Sequence, residues 1–156
     1  MKEHKEMKVS ALKDGTVIDH IPANKLFKVI AILNLDTITT PITFGTNLES
    51  KKFDSKAIIK VTDKFFEDSE INRISLIAPE ARLNIIRNYE VVEKRNVHIP
   101  DKIEGIVKCV NPKCITNHED IVTSFNVVSQ KPVALKCHYC EKITDEENME
   151  IIWYSV

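Results

Sequence analysis

The sequence predicts an α+β protein in two parts, and three observations carry that prediction. Strand-like and helix-like segments follow one another in the order β, α, β, β, α, β. Composition changes near Pro100, and four cysteines are confined to the last third of the 156-residue chain. Residues 1–100 are expected to form the split βαβ (ferredoxin-like) plan, an antiparallel sheet with two helices on one face. Residues 101–156 are expected to form a small all-β domain around a metal.

The elements follow in order. Lys8 to Lys13 alternates Val9 and Ala11 against polar neighbours, Asp14-Gly15 supplies a tight turn, and Thr16 to Ile21 alternates again, giving two strands. From Ala23 to Leu35 the residues Leu26, Phe27, Ile30 and Leu33 recur at helical spacing, with Lys25 and Lys28 on the other side and Pro22 where a first turn tolerates it. Thr40–Leu48 and Lys56–Thr62 are β-branched runs joined by the polar segment Glu49–Asp54, a hairpin with a long charged loop. Asp68 or Ser69 caps a second helix with the face Ile71, Ile74, Ile77 and Ala78, and Pro79 ends it. Ala81–Arg87 and Tyr89–Lys94 form one bent strand or a pair.

Composition sets bounds on function. At 43% hydrophobic and 29% charged residues the chain should fold rather than remain disordered. A net charge of -1 removes the global attraction to polyanions expected of a nucleic-acid binder. The three glycines, Gly15, Gly45 and Gly105, are too scattered for a P-loop or a dinucleotide fingerprint. Neither a signal peptide nor a membrane span can be read, so a cytoplasmic setting is expected. Residues 1–100 carry 16 Lys and Arg against 14 Asp and Glu; residues 101–156 carry 6 Lys, no Arg and 9 Asp and Glu.

Cys109 and Cys114 enclose four residues, Cys137 and Cys140 enclose two, and 22 residues separate the pairs. Two such turns can present four sulfurs to one tetrahedral ion. One structural Zn2+ per chain fits that donor set, with iron as the lesser alternative and His118 or His138 in place of one sulfur as another. Backbone amides or Lys108, Lys113 and Lys136 are expected to offset the cage's negative charge. A deaminase site fails on spacing, because His118 and Glu119 are adjacent and Lys136 precedes Cys137. A thioredoxin-like Cys-x-x-Cys should open a helix, whereas Cys137 follows the strand-like Val133–Lys136.

In the first part, Asp19 and His20 end a strand, where a carboxylate can meet sugar hydroxyls and an imidazole a phosphate. Lys56 and Lys60 share a face, and Arg95 follows Lys94. Taken singly, these residues read as a turn and as solvated edge lysines. Only convergence would make them a pocket.

Gly15-Thr-Val-Ile-Asp-His-Ile-Pro22, then Ala78-Pro-Glu-Ala-Arg-Leu-Asn84 leading to Asn88-Tyr-Glu-Val-Val92, and finally the four cysteines resemble, in that order and over essentially the whole chain, the aspartate carbamoyltransferase regulatory chains. The resemblance implies an N-terminal allosteric domain that binds the effectors CTP and ATP in one pocket, and a C-terminal zinc domain that holds a catalytic chain. It also implies homodimers of regulatory chains bridging catalytic trimers in pyrimidine biosynthesis, with no chemistry on this chain. Carried over residue by residue, it puts Ala11, Leu12 and the backbone of Tyr89 beside the base and Asp19 and Lys60 on the ribose. His20, Asn84, Val91 and Lys94 fall on the triphosphate, Val9, Val17 and Ile86 on the apolar walls, and Cys109, Cys114, Cys137 and Cys140 on zinc. The chain departs from the family at Ser10, where relatives carry a larger acidic residue on the rim of the base pocket. It departs again at Lys113, where they carry an asparagine that contacts the catalytic chain, while Asn111 is retained.

The alternative to this reading is a zinc-ribbon nucleic-acid-binding module. The acidic second part without arginine speaks against it, so neither nucleic acid nor membrane is an expected partner.

Overall fold

The computed structural model describes residues 11–51 and 53–152, which divide into two compact units, one up to Val97 and one from His98. The first contains β1 (Gly15–Pro22), α1 (Leu26–Ile32), β2 (Ile42–Leu48), β3 (Lys56–Thr62), α2 (Asp68–Ser75), β4 (Arg82–Arg87) and β5 (Glu90–Asn96). Its strands form one antiparallel sheet in the order β2-β3-β1-β4-β5. The second contains β6 (Lys102–Glu104), β7 (Val107–Lys108), β8 (Ser124–Gln130), β9 (Val133–Cys137), β10 (Ile143–Asp145) and β11 (Glu150–Ile151). A sheet β10-β9-β8-β6 and a ribbon β11-β7 account for these strands. The α+β class, with two helices beside one antiparallel sheet and a cysteine-bearing β unit, is the class the sequence predicts.

Pleating decides what the first sheet buries. Thr16 and Ile18 of β1, Ala57, Ile59 and Val61 of β3, and Leu83 and Ile85 of β4 alternate with less buried neighbours and close against the buried residues of α1 and α2. In the second unit Ile103, Val107, Phe125, Val133 and Leu135 are buried beside three of the four cysteines.

Several expectations are corrected. The strand expected at Lys8–Lys13 lies partly outside the described residues, and its remainder, Ala11–Lys13, is not in a strand. Asp14-Gly15 therefore does not close a hairpin. The Asp14 carbonyl accepts the Asp63 N–H at 3.0 Å, and the Lys13 carbonyl accepts the Tyr89 N–H at 2.9 Å. Gly15 has φ +146°, and a Cβ there would stand 2.1 Å from the Val61 carbonyl oxygen, so β1 begins where only glycine fits.

Helix α1 is shorter than expected, flanked by 3-10 turns at Ala23–Lys25 and Leu35–Thr37. Its buried stripe is Leu26, Val29, Ile32 and the following Leu33, while Phe27 is 68% exposed and meets the Phe44 ring edge-on at 6.0 Å. Glu67 rather than Asp68 or Ser69 caps α2, and Glu70 Oε1 accepts the Glu67 N–H at 3.1 Å. Residues 81–96 resolve into the pair β4 and β5. Their turn puts both Asn88 and Tyr89 at positive φ, 52° and 68°.

Candidate metal centre and ligand face

The four cysteines come from two short turns, Cys109–Cys114 after β7 and Cys137–Cys140 at the end of β9. All are free thiols, and their sulfurs lie within 4.8 Å of one another. Cys109 and Cys140 Sγ are 3.5 Å apart and Cys114 and Cys137 Sγ 3.7 Å. Four sulfurs at about 2.3 Å from one ion would be separated by about 3.8 Å, so the cage fits a tetrahedral tetrathiolate metal.

The surrounding groups hold the cage in shape. Thr116 Oγ1 lies 3.2 Å from Cys114 Sγ as its donor. Asn117 Nδ2 donates to the carbonyls of Cys109 at 3.0 Å and Asn111 at 2.7 Å, and Asn111 Oδ1 accepts the Lys113 N–H at 3.1 Å. Glu141, at φ 65°, donates its N–H to the Cys137 carbonyl at 3.0 Å and turns the chain back toward β10. Burial pushes the Cys109 and Cys137 thiols up. Burial also acts upward on Cys140, but hydrogen bonds from the Lys142 backbone and the Asn111 side chain outweigh it and bring this thiol down to about 7. A divalent ion would draw all four into the thiolate form.

His118 and His138 are exposed, and the sulfur set is complete without them. Thr116 and Asn117 are functional residues the sequence reading missed. Their signal is a hydroxyl two residues, and a short amide three residues, after a ligand cysteine.

The open face of the five-stranded sheet carries the other candidate residues. Register aligns Lys60 of β3 with Val17 of β1, Val17 with Asn84 of β4, and Asn84 with Lys94 of β5. Directly opposed residues point to one side, so these four form a row across four strands. One step toward the start of β1, Gly15 aligns with Ile86, and Ile86 with Val91. Two residues the other way, Asp19 aligns with Arg82. Val17, Asp19, Lys60, Asn84, Ile86, Val91 and Lys94 thus share one face.

Ala11 and Leu12 precede β1 at the Gly15 end, where the bond from Tyr89 N–H to Lys13 fixes the β4–β5 turn beside them. His20 stands about 17 Å away along the strand, at φ 60° within an irregularity of β1. Val9 and Ser10 lie outside the described residues.

The two ends of this face differ chemically. Ile86, Val91 and Tyr89 make one end apolar, whereas Asp19, His20, Lys56 and Arg82 make the other ionic. Asp19 is held by Lys56 Nζ at 3.0 Å and 3.3 Å, and its Oδ2 lies 3.5 Å from His20 Nδ1. Desolvation lowers the Lys60 pKa, which makes a nearby anion favourable to it. A cavity of about 430 Å3 at the ionic end is lined by His20, Glu49, Ser50, Lys51, Lys56 and Arg82. Another, of about 730 Å3, lies beside Pro22, Asn24 and Phe53 and contains none of the expected residues. The arrangement suits an elongated ligand, apolar at one end and anionic at the other. No helix among the described residues is long and apolar enough to cross a membrane.

Comparison with known proteins gives two family matches. Residues 7–98 match the allosteric domain of the aspartate carbamoyltransferase regulatory chain, and residues 101–150 match its metal binding domain. A regulatory chain of that name from Bacteroides fragilis is 57% identical over 153 residues, 97% of this chain and 100% of its own length. One from Thermococcus sibiricus is 56% identical over 147 residues, 94% of this chain and 97% of its own. One from Pyrococcus abyssi is 52% identical over 146 residues, 92% of this chain and 96% of its own.

Proposed function

Since the chain belongs to the family of aspartate carbamoyltransferase regulatory chains, a non-catalytic subunit, we propose that it binds nucleoside triphosphate effectors on the open sheet face and transmits their effect to a catalytic chain. CTP and ATP compete for this site. The observation that carries the reading is the row Lys60–Val17–Asn84–Lys94, which lies between an apolar end and an ionic end. The base and ribose lie against Ala11, Leu12, Val17, Ile86 and Tyr89. The phosphates run toward His20 and Lys94, and Asp19 and Lys60 hold the ribose hydroxyls. Residues 1–100 act as the allosteric domain and 101–156 as the domain that contacts the catalytic chain.

Zinc is the metal this reading assigns to Cys109, Cys114, Cys137 and Cys140, because four thiolates at tetrahedral spacing satisfy it with no open position. Its part is to hold the two cysteine turns together, in the reducing cytoplasm that keeps thiols free. Around the cage Val110, Ile115, Tyr139 and Ile143 are exposed large apolar residues, an uncovered surface that suits a protein partner. That partner is the catalytic chain, with Asn111 and Lys113 at the contact, and regulatory chains pair as homodimers between catalytic trimers.

Effectors act by differential affinity for two states of the assembly, with a coupling of about 1–3 kcal/mol. Equilibrium titration tests the assignment: His20→Ala and Lys94→Ala should each weaken CTP and ATP together, because both residues meet phosphate rather than base. Unchanged binding of both nucleotides removes it.

A further inference from the structure

The ribbon of the cysteine unit leads toward a place where a side chain is missing. β11 and β7 pair antiparallel, with Glu150 opposite Lys108 and Ile151 opposite Val107, and the Ile152 N–H donates to the Ile106 carbonyl at 2.8 Å. The next residue is Trp153, the chain's one tryptophan, which lies outside the described residues. One more step of the same register sets it opposite Gly105. Alternation then puts it on the side of Val107, which is fully buried, and not on that of Lys108, which is exposed.

At Gly105 the chain passes from one pairing partner to another. Just before it Ile103 aligns with Phe125 and Glu104 with Ser124, and the Gly105 N–H itself donates to the Thr123 carbonyl at 2.9 Å. Trp153, Gly105 and Thr123 therefore fall in one row across three neighbouring segments, with the glycine in the middle. Its φ of +70° favours glycine, and a Cβ there would meet Val122 Cγ1 at 3.4 Å. Val122 is 67% exposed. Thr123 is only 5% exposed, yet its Oγ1 has no hydrogen-bond partner among the described residues. A buried hydroxyl left in that state is costly, and folded chains avoid it.

We propose that the patch formed by Gly105, Val122 and Thr123 is a docking seat for Trp153 of the same chain: the indole lies across Gly105, covers Val122 and donates its N–H to Thr123 Oγ1. An aromatic ring laid over a cross-strand glycine supplies the contact that the glycine lacks. Two strand spacings, about 9.6 Å, separate Trp153 from Thr123 in the row. A flat indole with an apolar body and one polar edge spans that gap and brings a donor to an acceptor that needs one. The occupant comes from this chain because Ile152 is already bonded to Ile106 and Trp153 follows it directly, so no loop has to be closed to reach the seat. The seat depends on neither the effector site nor the catalytic-chain contact.

A single tryptophan gives one fluorophore and one indole N–H signal, so both report on this seat alone. The full-length chain loaded with Zn2+ should show blue-shifted emission that acrylamide barely quenches, and slow exchange of the indole N–H, both independent of chain concentration. Thr123→Val keeps the shape and removes the acceptor. It should speed that exchange about fivefold or more while the emission stays blue-shifted and the β8 amides stay protected, and Thr123→Ser should restore slow exchange. Val122→Ser, which leaves Thr123 in place, should shift the emission to the red. Emission like that of tryptophan in water overturns the proposal, and so does an exchange rate equal in the unsubstituted chain and Thr123→Val. Shielding that appears only as chain concentration rises, or only when catalytic trimers are added, also overturns it and gives the patch to a second copy or to the catalytic chain.

Discussion

Gly15 occupies a position that admits no side chain. Its φ of +146° and the 2.1 Å approach that a Cβ would make to the Val61 carbonyl act together, because β1 cannot shift without breaking its pairing to β3. Gly15→Ala should therefore cost about 2–4 kcal/mol, read as a fall of about 10 °C or more in the thermal midpoint of the first unit. An unchanged midpoint would show that β1 can slide. At this scale the sequence was informative where a residue's chemistry has few uses. Four cysteines in two tight pairs have one economical arrangement, and the sulfurs converge. Asp19 was less legible: the sequence offered it to sugar hydroxyls, but not that Lys56, 37 positions on, would hold both its oxygens. That contact depends on the β1–β3 register, which no local pattern encodes.

Among the elements, helix ends and faces were where sequence reading and structure diverged. The stretch Glu67-Asp-Ser-Glu70 contains three plausible caps. General preference favours Asp or Ser, yet Glu67 takes the position because its N–H then meets the Glu70 side chain. Glu70→Ala should cost about 1 kcal/mol and speed amide exchange in the first turn of α2, and full retention of protection there would remove the cap from the account. In α1 the apolar residues admit more than one helical stripe. The sheet selects Leu26, Val29 and Ile32, which leaves Phe27 to pack on Phe44 outside the core. By contrast, the face of α2 was legible, since Ile71, Ile74, Ile77 and Ala78 are all buried as their spacing predicts. The β4–β5 turn lacks the usual Asn-Gly signature, because Tyr89 takes the second left-handed position. For that reason one bent strand and a pair looked alike in sequence.

For the molecule as a whole, the two units depend on different sources of stability. The first buries a sheet against two helices, whereas the second has short strands and a small set of apolar residues around the sulfurs. Metal held by four thiolates supplies folding free energy on the order of 10 kcal/mol. Chelation should therefore abolish the amide protection of residues from His98 onward while leaving β1, β3 and β4 protected, as hydrogen exchange would show. Uniform loss across both units, or none, would contradict it. Acidification should act in the same direction, because protons compete with metal for sulfur and apparent metal affinity falls as pH falls. A competition titration at two pH values measures that slope.

The row across the open face has a mechanical side. Its members come from strands β3, β1, β4 and β5, so a single molecule lying along it would work like a rivet through four planks and oppose any sliding between neighbours. The last plank is an edge strand whose outer side has no pairing partner among the described residues, and such strands open first. Lys94 is three positions from Val97, where the first unit ends. Fastening the sheet at Lys94 therefore also moors the start of the tether that leads on to the cysteine unit.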